Sequence, residues 1–181
     1  VPPVSMMYIS STVDQLTGSA YAGGINQPII RINVVTSGPI IPLNLTSITV
    51  NANGTTDIAD INSATAKVYY TGPSTTFSTA TLFGSGTPTI ADFAVTGSQL
   101  LAEGNNYFWL AYDVAPGAST GNNIDGECNS VTLGGTFTPT VTAPTGNKTI
   151  LGPLNGTYLV GTGQTSPNFA TLTEAINDLN G

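Results

Sequence analysis

The chain has 181 residues, with ten acids, three basic residues (Arg31, Lys67 and Lys148), no His and a single Cys, for a formal net charge of −7. Three scattered cations cannot neutralise a phosphate backbone or hold an anionic bilayer, which excludes nucleic-acid binding and membrane-surface anchoring. The missing His and lone Cys exclude Ser-His-Asp and Cys-His catalysis and the usual zinc, haem and iron–sulfur ligand sets.

Charged residues make up only 7% of the chain, against roughly a quarter in a typical soluble domain. Thr, Ser, Asn and Gly take their place, as in exported bacterial β-proteins, so an extracellular or cell-surface location is expected. No apolar run approaches the ~18 residues that a bilayer-spanning helix needs. The N-terminal VPPVSMMYISS has neither a basic segment nor a long apolar stretch, so it is not a signal peptide; in an exported protein that signal has already been removed.

In chain order, the β-branched and apolar runs predict strands at Met6–Val13, Pro28–Val35, Leu43–Asn51, Ala64–Thr71, Thr79–Phe83, Asp92–Thr96, Asn106–Val114, Asn123–Leu133 and Thr136–Val141. Ile30, Ile32 and Val34 share one face of their strand. The strand after them is ambiguous: Leu43 and Leu45 point one way, Ile48 and Val50 the other. In Asn106–Val114, Phe108, Leu110, Tyr112 and Val114 form the core face. Asn53-Gly54, Gly72-Pro73, Gly84-Ser85-Gly86 and Gly134-Gly135 punctuate the strands. About eight or nine short strands at this spacing predict an all-β immunoglobulin-like or jelly-roll sandwich.

Composition shifts to Pro, Thr, Gly and Asn over 142–156, which reads as a linker after a 1–141 sandwich module. Residues 157–181 read as the strand-and-helix start of a following domain, so the chain is expected to be a piece of a longer protein. TYLV (157–160) is the strand. Ser166 fits the helix N-cap, Pro167 the first helical position and Asn180-Gly181 the C-terminal cap; Phe169, Leu172, Ile176 and Leu179 line one apolar stripe.

Chemistry is sparse. Asp125 and Glu127, two residues apart, share one strand face, whereas a glycosidase pair flanks its sugar from two sides. Only a deep cleft uniting them with a distant acid such as Asp92 restores a catalytic reading, so no enzyme activity is expected. Calcium is the better use of these oxygens: Asn123, Asp125 and Glu127, with Asn122 and loop carbonyls, make a candidate site, although the EF-hand pattern is not met. Asp57 and Asp60 are a weaker pair. No other cofactor is implied. Cys128, flanked by acids, reads as a buried apolar residue.

The aromatics offer a second candidate site. Tyr107 and Trp109 lie on the face of their strand opposite the core, and Tyr69 lies on another strand. If all three are exposed together they form a flat platform for the apolar face of a sugar. Cover from a loop, a terminus or a neighbouring domain is the alternative, because Trp is highly buried on average.

Certain blocks resemble a known domain. PIIRINVVTSG, LTSITVNANGTTDIADINSATAKVYYTG, FSTATLFG, LAEGNNYFWLAYDV and GNNIDGECNSVTLGG, between about Pro28 and Thr138, are similar to the N-terminal domain of bacterial BNR-repeat neuraminidases. The resemblance implies a β-sandwich accessory unit without catalytic residues. No Asp-box (S-x-D-x-G-x-T-W) occurs in the chain, which counts against a sialidase assignment. The tail GTYLVGTGQTSPNFATLTEAINDLNG resembles the entry to a right-handed parallel β-helix.

The leading expectation is therefore a non-catalytic module acting in adhesion, spacing or assembly, and the alternative is a carbohydrate-binding module of a glycan-active enzyme. Expected partners are neighbouring domains of the same polypeptide, with glycans, a surface protein or a second copy as further candidates. Self-assembly would use weakly protected strand edges such as VPPVSMMYI, for which pairing within its own sheet is the simpler fate. The four N-x-[ST] sequons, at Asn44, Asn53, Asn147 and Asn155, follow from an Asn- and Thr-rich composition.

Overall fold

The structure is a computed structural model, and it describes residues 4–152, 159–164 and 168–180. Its strands are Met7–Gln15 (β1), Gly18–Tyr21 (β2), Gln27–Ser37 (β3), Asn44–Asn51 (β4), Ala66–Gly72 (β5), Leu82–Gly86 (β6), Phe93–Leu100 (β7), Gly104–Tyr112 (β8), Asn123–Ile124 (β9), Glu127–Thr132 (β10), Thr136–Phe137 (β11) and Lys148–Leu151 (β12). A helix, α1, spans Leu172–Asn180. Five strands form one antiparallel sheet in the order β1-β3-β8-β5-β6, and four form a facing sheet in the order β11-β10-β4-β7. The all-β sandwich is as the alternation predicts. The N-terminal strand β1 pairs with β3 of its own sheet.

The core lies between the two sheets. Ile30, Ile32 and Val34 of β3, Val68 of β5, and Phe108, Leu110 and Tyr112 of β8 pack with Leu45, Ile48 and Val50 of β4, Val95 of β7, and Cys128 and Val131 of β10. Register breaks occur in several ladders, including β5–β8 between Tyr70 and Gly72, and two of them set which residues of β3 and β4 reach the core. In the β3–β8 ladder the break falls between Pro28 and Ile30, and Ile29 and Ile30 are both buried. In the β4–β7 ladder it falls between Leu45 and Ser47. Leu45 and Ile48 both end in the core, which resolves the ambiguous alternation of that strand.

The sandwich closes at both sides. At one, β6 runs against β7 so closely that a Cβ on Gly84 would collide with the Thr96 carbonyl oxygen, and one on Gly97 with the Phe83 carbonyl oxygen. At the other, the Tyr8 and Phe137 rings stack with centroids 4.0 Å apart, and Thr140 N donates to Ser11 O at 2.9 Å.

Several elements differ from the sequence expectation. The single strand expected over Asn123–Leu133 divides into β9 and β10, because the two halves pair in different sheets. Gly126, at the division, packs so near Leu110, Ile29 and Tyr112 that a side chain there would crowd them. β6 begins at Leu82 rather than Thr79, and the last sandwich strand stops at Phe137. The 142–156 stretch read as a linker contains β12, which pairs parallel with β2 and antiparallel with β9 and buries Ile150. Burial of Ile150 and ladder bonds on both sides of the strand outweigh the Pro/Gly/Thr composition around it.

Ser166, Pro167 and Gly181, and Thr157 and Tyr158 of the expected strand, lie outside the described residues; Val160 forms an isolated bridge with Phe169. The helix begins at Leu172 and is capped by Thr171. Thr171 Oγ1 accepts from Glu174 N at 3.1 Å, and Glu174 Oε2 accepts from Thr171 N at 3.2 Å, a capping box.

The corner glycines generate a stability prediction. Gly84→Ala and Gly97→Ala should each lower the free energy of unfolding measured by urea titration, by about 1–3 kcal/mol if the sheets shift as an overpacked core does. Gly104, whose added Cβ would meet nothing within 4 Å, supplies the control for crowding. Its positive φ of 92° makes its alanine variant report backbone strain alone.

Candidate functional site

The outer face of the five-stranded sheet carries a ladder of side chains in direct register. Asp14 of β1 is opposite Arg31 of β3, Arg31 is opposite Trp109 of β8, and Trp109 is opposite Tyr69 of β5. Cross-strand neighbours at this spacing touch. Arg31 Nη2 meets Asp14 Oδ2 at 2.8 Å, and the guanidinium carbon lies 5.2 Å from the Tyr107 ring centroid and 5.7 Å from that of Trp109.

Of the two alternatives for the candidate platform of Tyr69, Tyr107 and Trp109, the rings are covered rather than exposed together. Trp109 is 3% exposed and Tyr69 6%; Tyr107 is half-buried. The cover is Phe77, from the loop between β5 and β6. Its ring packs edge-on against both, at 5.7 Å from Tyr69 and 5.7 Å from Trp109. Trp109 Nε1 donates to Thr71 Oγ1 at 2.8 Å, and Tyr69 donates its hydroxyl to Asn26 Oδ1 at 2.8 Å, so both polar handles are satisfied within the protein. Sequence reasoning missed Phe77; the available signal was a lone aromatic in an otherwise Ser- and Thr-rich loop.

The candidate calcium residues each accept hydrogen bonds within the protein. Asn123 Oδ1 accepts from Thr149 Oγ1 at 3.1 Å, Asp125 Oδ1 from Gly126 N at 2.7 Å, and Glu127 from Asn53 Nδ2 at 2.9 Å and Asn51 Nδ2 at 3.1 Å. Among the described residues, no three of His, Cys, Asp and Glu assemble as a metal-holding group. The structure does bring Asp92 to this region: Asn51 Nδ2 bridges it, at 2.9 Å, to Glu127. Amides from Asn51 and Asn129 hold the Asp92 carboxyl below its ordinary range. Asp57 caps a short 3-10 turn by accepting from Ala59 N. Asp60 is buried and accepts from Ser119 N and Asn122 Nδ2, tying down the loop that follows β8. Cys128 is fully buried, and burial pushes its thiol up to about 12, as expected for a packing residue rather than a nucleophile.

Strand order and side-chain contacts together define a two-sheet all-β sandwich in which the conspicuous aromatics and acids make contacts within the protein. Residues 20–136 match the family described as the N-terminal domain of BNR-repeat neuraminidase, and the chain belongs to that family. Among solved structures it is similar to a chain described as Hadza microbial sialidase Hz136, with a TM-score of 0.55 and 14% identity over 77% of this chain. At that identity the likeness is one of fold. This chain spans 30% of the length of that one. Among curated proteins none matches.

Two outcomes follow from this geometry. Phe77→Ala should expose Trp109, seen as red-shifted emission and stronger acrylamide quenching with little change in the far-ultraviolet spectrum. Unchanged quenching would show that another group covers the indole. Asp125 is raised above the ordinary carboxylate range, first by burial, with the Glu127 charge adding and the Gly126 N–H opposing. A carboxyl raised in the folded state favours folding most when protonated, and that advantage is lost as pH rises through its folded value. Asp125→Asn should therefore raise the unfolding midpoint at pH 7 relative to wild type, and the difference should shrink as pH falls below the carboxylate range.

Proposed function

We propose that this chain is a non-catalytic β-sandwich module of a larger exported or cell-surface bacterial protein, acting in spacing, adhesion or assembly beside a glycan-processing domain. Its first partners are the neighbouring domains of the same polypeptide. The observation that carries this reading is the commitment of the acids: Asp60, Asp92, Asp125 and Glu127 each accept hydrogen bonds from amides of the fold. A general acid or nucleophile must instead face substrate. The family assignment over residues 20–136 supports the same reading. Among the described residues no helix is long and apolar enough to cross a membrane.

One observation favours glycan binding as a second reading. The loop after β5 encloses a concavity of about 300 Å³ lined by Tyr70, Thr71, Ser74, Thr76, Ser78 and Thr81, among others. Its hydroxyls and single ring suit a neutral sugar better than a sialic-acid carboxylate, which calls for a cation.

Incubation with a fluorogenic sialoside and a glycan array, on the same preparation, tests both readings. The first predicts neither turnover nor retention. Retention on neutral glycans that is lost in Thr76→Ala and Ser78→Ala would establish the second. Turnover abolished by Glu127→Gln would overturn both.

A further inference from the structure

Beside the covered aromatic ladder, the fold gathers three polar residues from distant parts of the chain. Asn26 stands just before β3, Lys67 lies in β5, and Asp113 follows β8. Lys67 Nζ is 2.9 Å from Asn26 Oδ1 and 2.8 and 3.1 Å from the two Asp113 carboxylate oxygens. The Tyr69 hydroxyl donates to the same Asn26 oxygen at 2.8 Å. Asn26 N donates to Asp113 Oδ1 at 2.7 Å, which fixes the backbone of the asparagine against the acid. Asn26 itself holds a φ of 51°, in the left-handed region that non-glycine residues adopt at a cost. The Asp113 side chain is 13% exposed and that of Lys67 25%.

A salt bridge requires only the lysine and the acid. It does not require a carboxamide held against the amine with a second donor on its carbonyl oxygen. Amine, polarised carbonyl and adjacent carboxylate are the parts needed for substitution at an amide: a nucleophile, a donor for the developing oxyanion, and a proton carrier. Each is already within hydrogen-bond distance of the next, so the entropy of bringing them together is met by the fold.

We propose that Lys67 and Asn26 form an intramolecular isopeptide cross-link. Asp113 takes a proton from the Lys67 ammonium, and the freed Nζ lone pair forms a bond to Asn26 Cγ. Tyr69 holds the carbonyl oxygen as charge develops on it. The Cγ–Nδ2 bond then breaks, Asp113 delivers its proton to the departing nitrogen, and the surplus proton on Nζ follows. One ammonium and one carboxamide become one secondary amide and one ammonium ion, so no oxidant or other reactant is needed. The product ties the turn before β3 to β5 across the intervening β8. Such a bond restricts the unfolded chain as a disulfide does, in a protein whose lone Cys128 is buried and free.

Intact-mass spectrometry of the purified chain tests the proposal. The expected mass is about 17 Da below that of the sequence, one ammonia lost, and proteolysis should release a branched peptide joining the Asn26 and Lys67 segments. Lys67→Arg and Asp113→Asn should each restore the full sequence mass, and the first keeps the positive charge if the second fails to fold. A wild-type chain at its full sequence mass overturns the proposal. So does an ammonia loss that persists in Lys67→Arg, as a succinimide at Asn53-Gly54 would produce.

Discussion

The structure depends on the burial of strand β8 on both of its faces. Towards the facing sheet, Phe108, Leu110 and Tyr112 are fully buried in the core. Towards the outside, Trp109 and Ala111 are buried as well. With few ion pairs and no disulfide among the described residues, cohesion must come from apolar burial and backbone pairing, and a central strand covered on both sides supplies both. The neighbours of β8 follow from this. β3 and β5 flank it with bulges that adjust which side chains face inward, Arg31 lies over its outer rings, and Phe77 closes the remaining side.

That arrangement explains why the most conspicuous residues do not make an open site. A Trp and two Tyr on an outer sheet face resemble a sugar platform when only strand alternation is considered. In three dimensions the ladder Asp14, Arg31, Trp109 and Tyr69 satisfies itself through an ion pair, a cation–π contact, ring edges and hydrogen bonds. The acids behave likewise. Asn51, with one amide group, bridges Asp92 and Glu127, so the carboxylates are separated and anchored rather than gathered around a vacant centre.

The residues that were legible in the sequence are those whose burial follows from local alternation. The β3 run of Ile30, Ile32 and Val34 and the inner face of β8 could be assigned from period two alone. The cover over Trp109 was not legible, because Phe77 is brought to it by tertiary structure and its surroundings read as polar loop. Strands β2 and β12 were missed because each has four residues, with Gly, Ser and Ala in one and Lys in the other; their pairing is decided by partners far away in the chain. The cap of α1 was legible in principle, since Thr171 and Glu174 have capping-box spacing, but Ser166-Pro167 offered a competing start signal upstream.

Two-sided burial of β8 is tested most directly by native-state hydrogen exchange that resolves the Trp109 indole N–H together with the β8 amides. If the outer face is as closed as the inner, the indole proton and the amides of Phe108 and Leu110 should exchange only through global unfolding, with a common free energy and a common denaturant dependence. Rapid exchange of the indole, independent of denaturant, while the amides stay protected, would show that the outer face opens in the native state and would contradict the account.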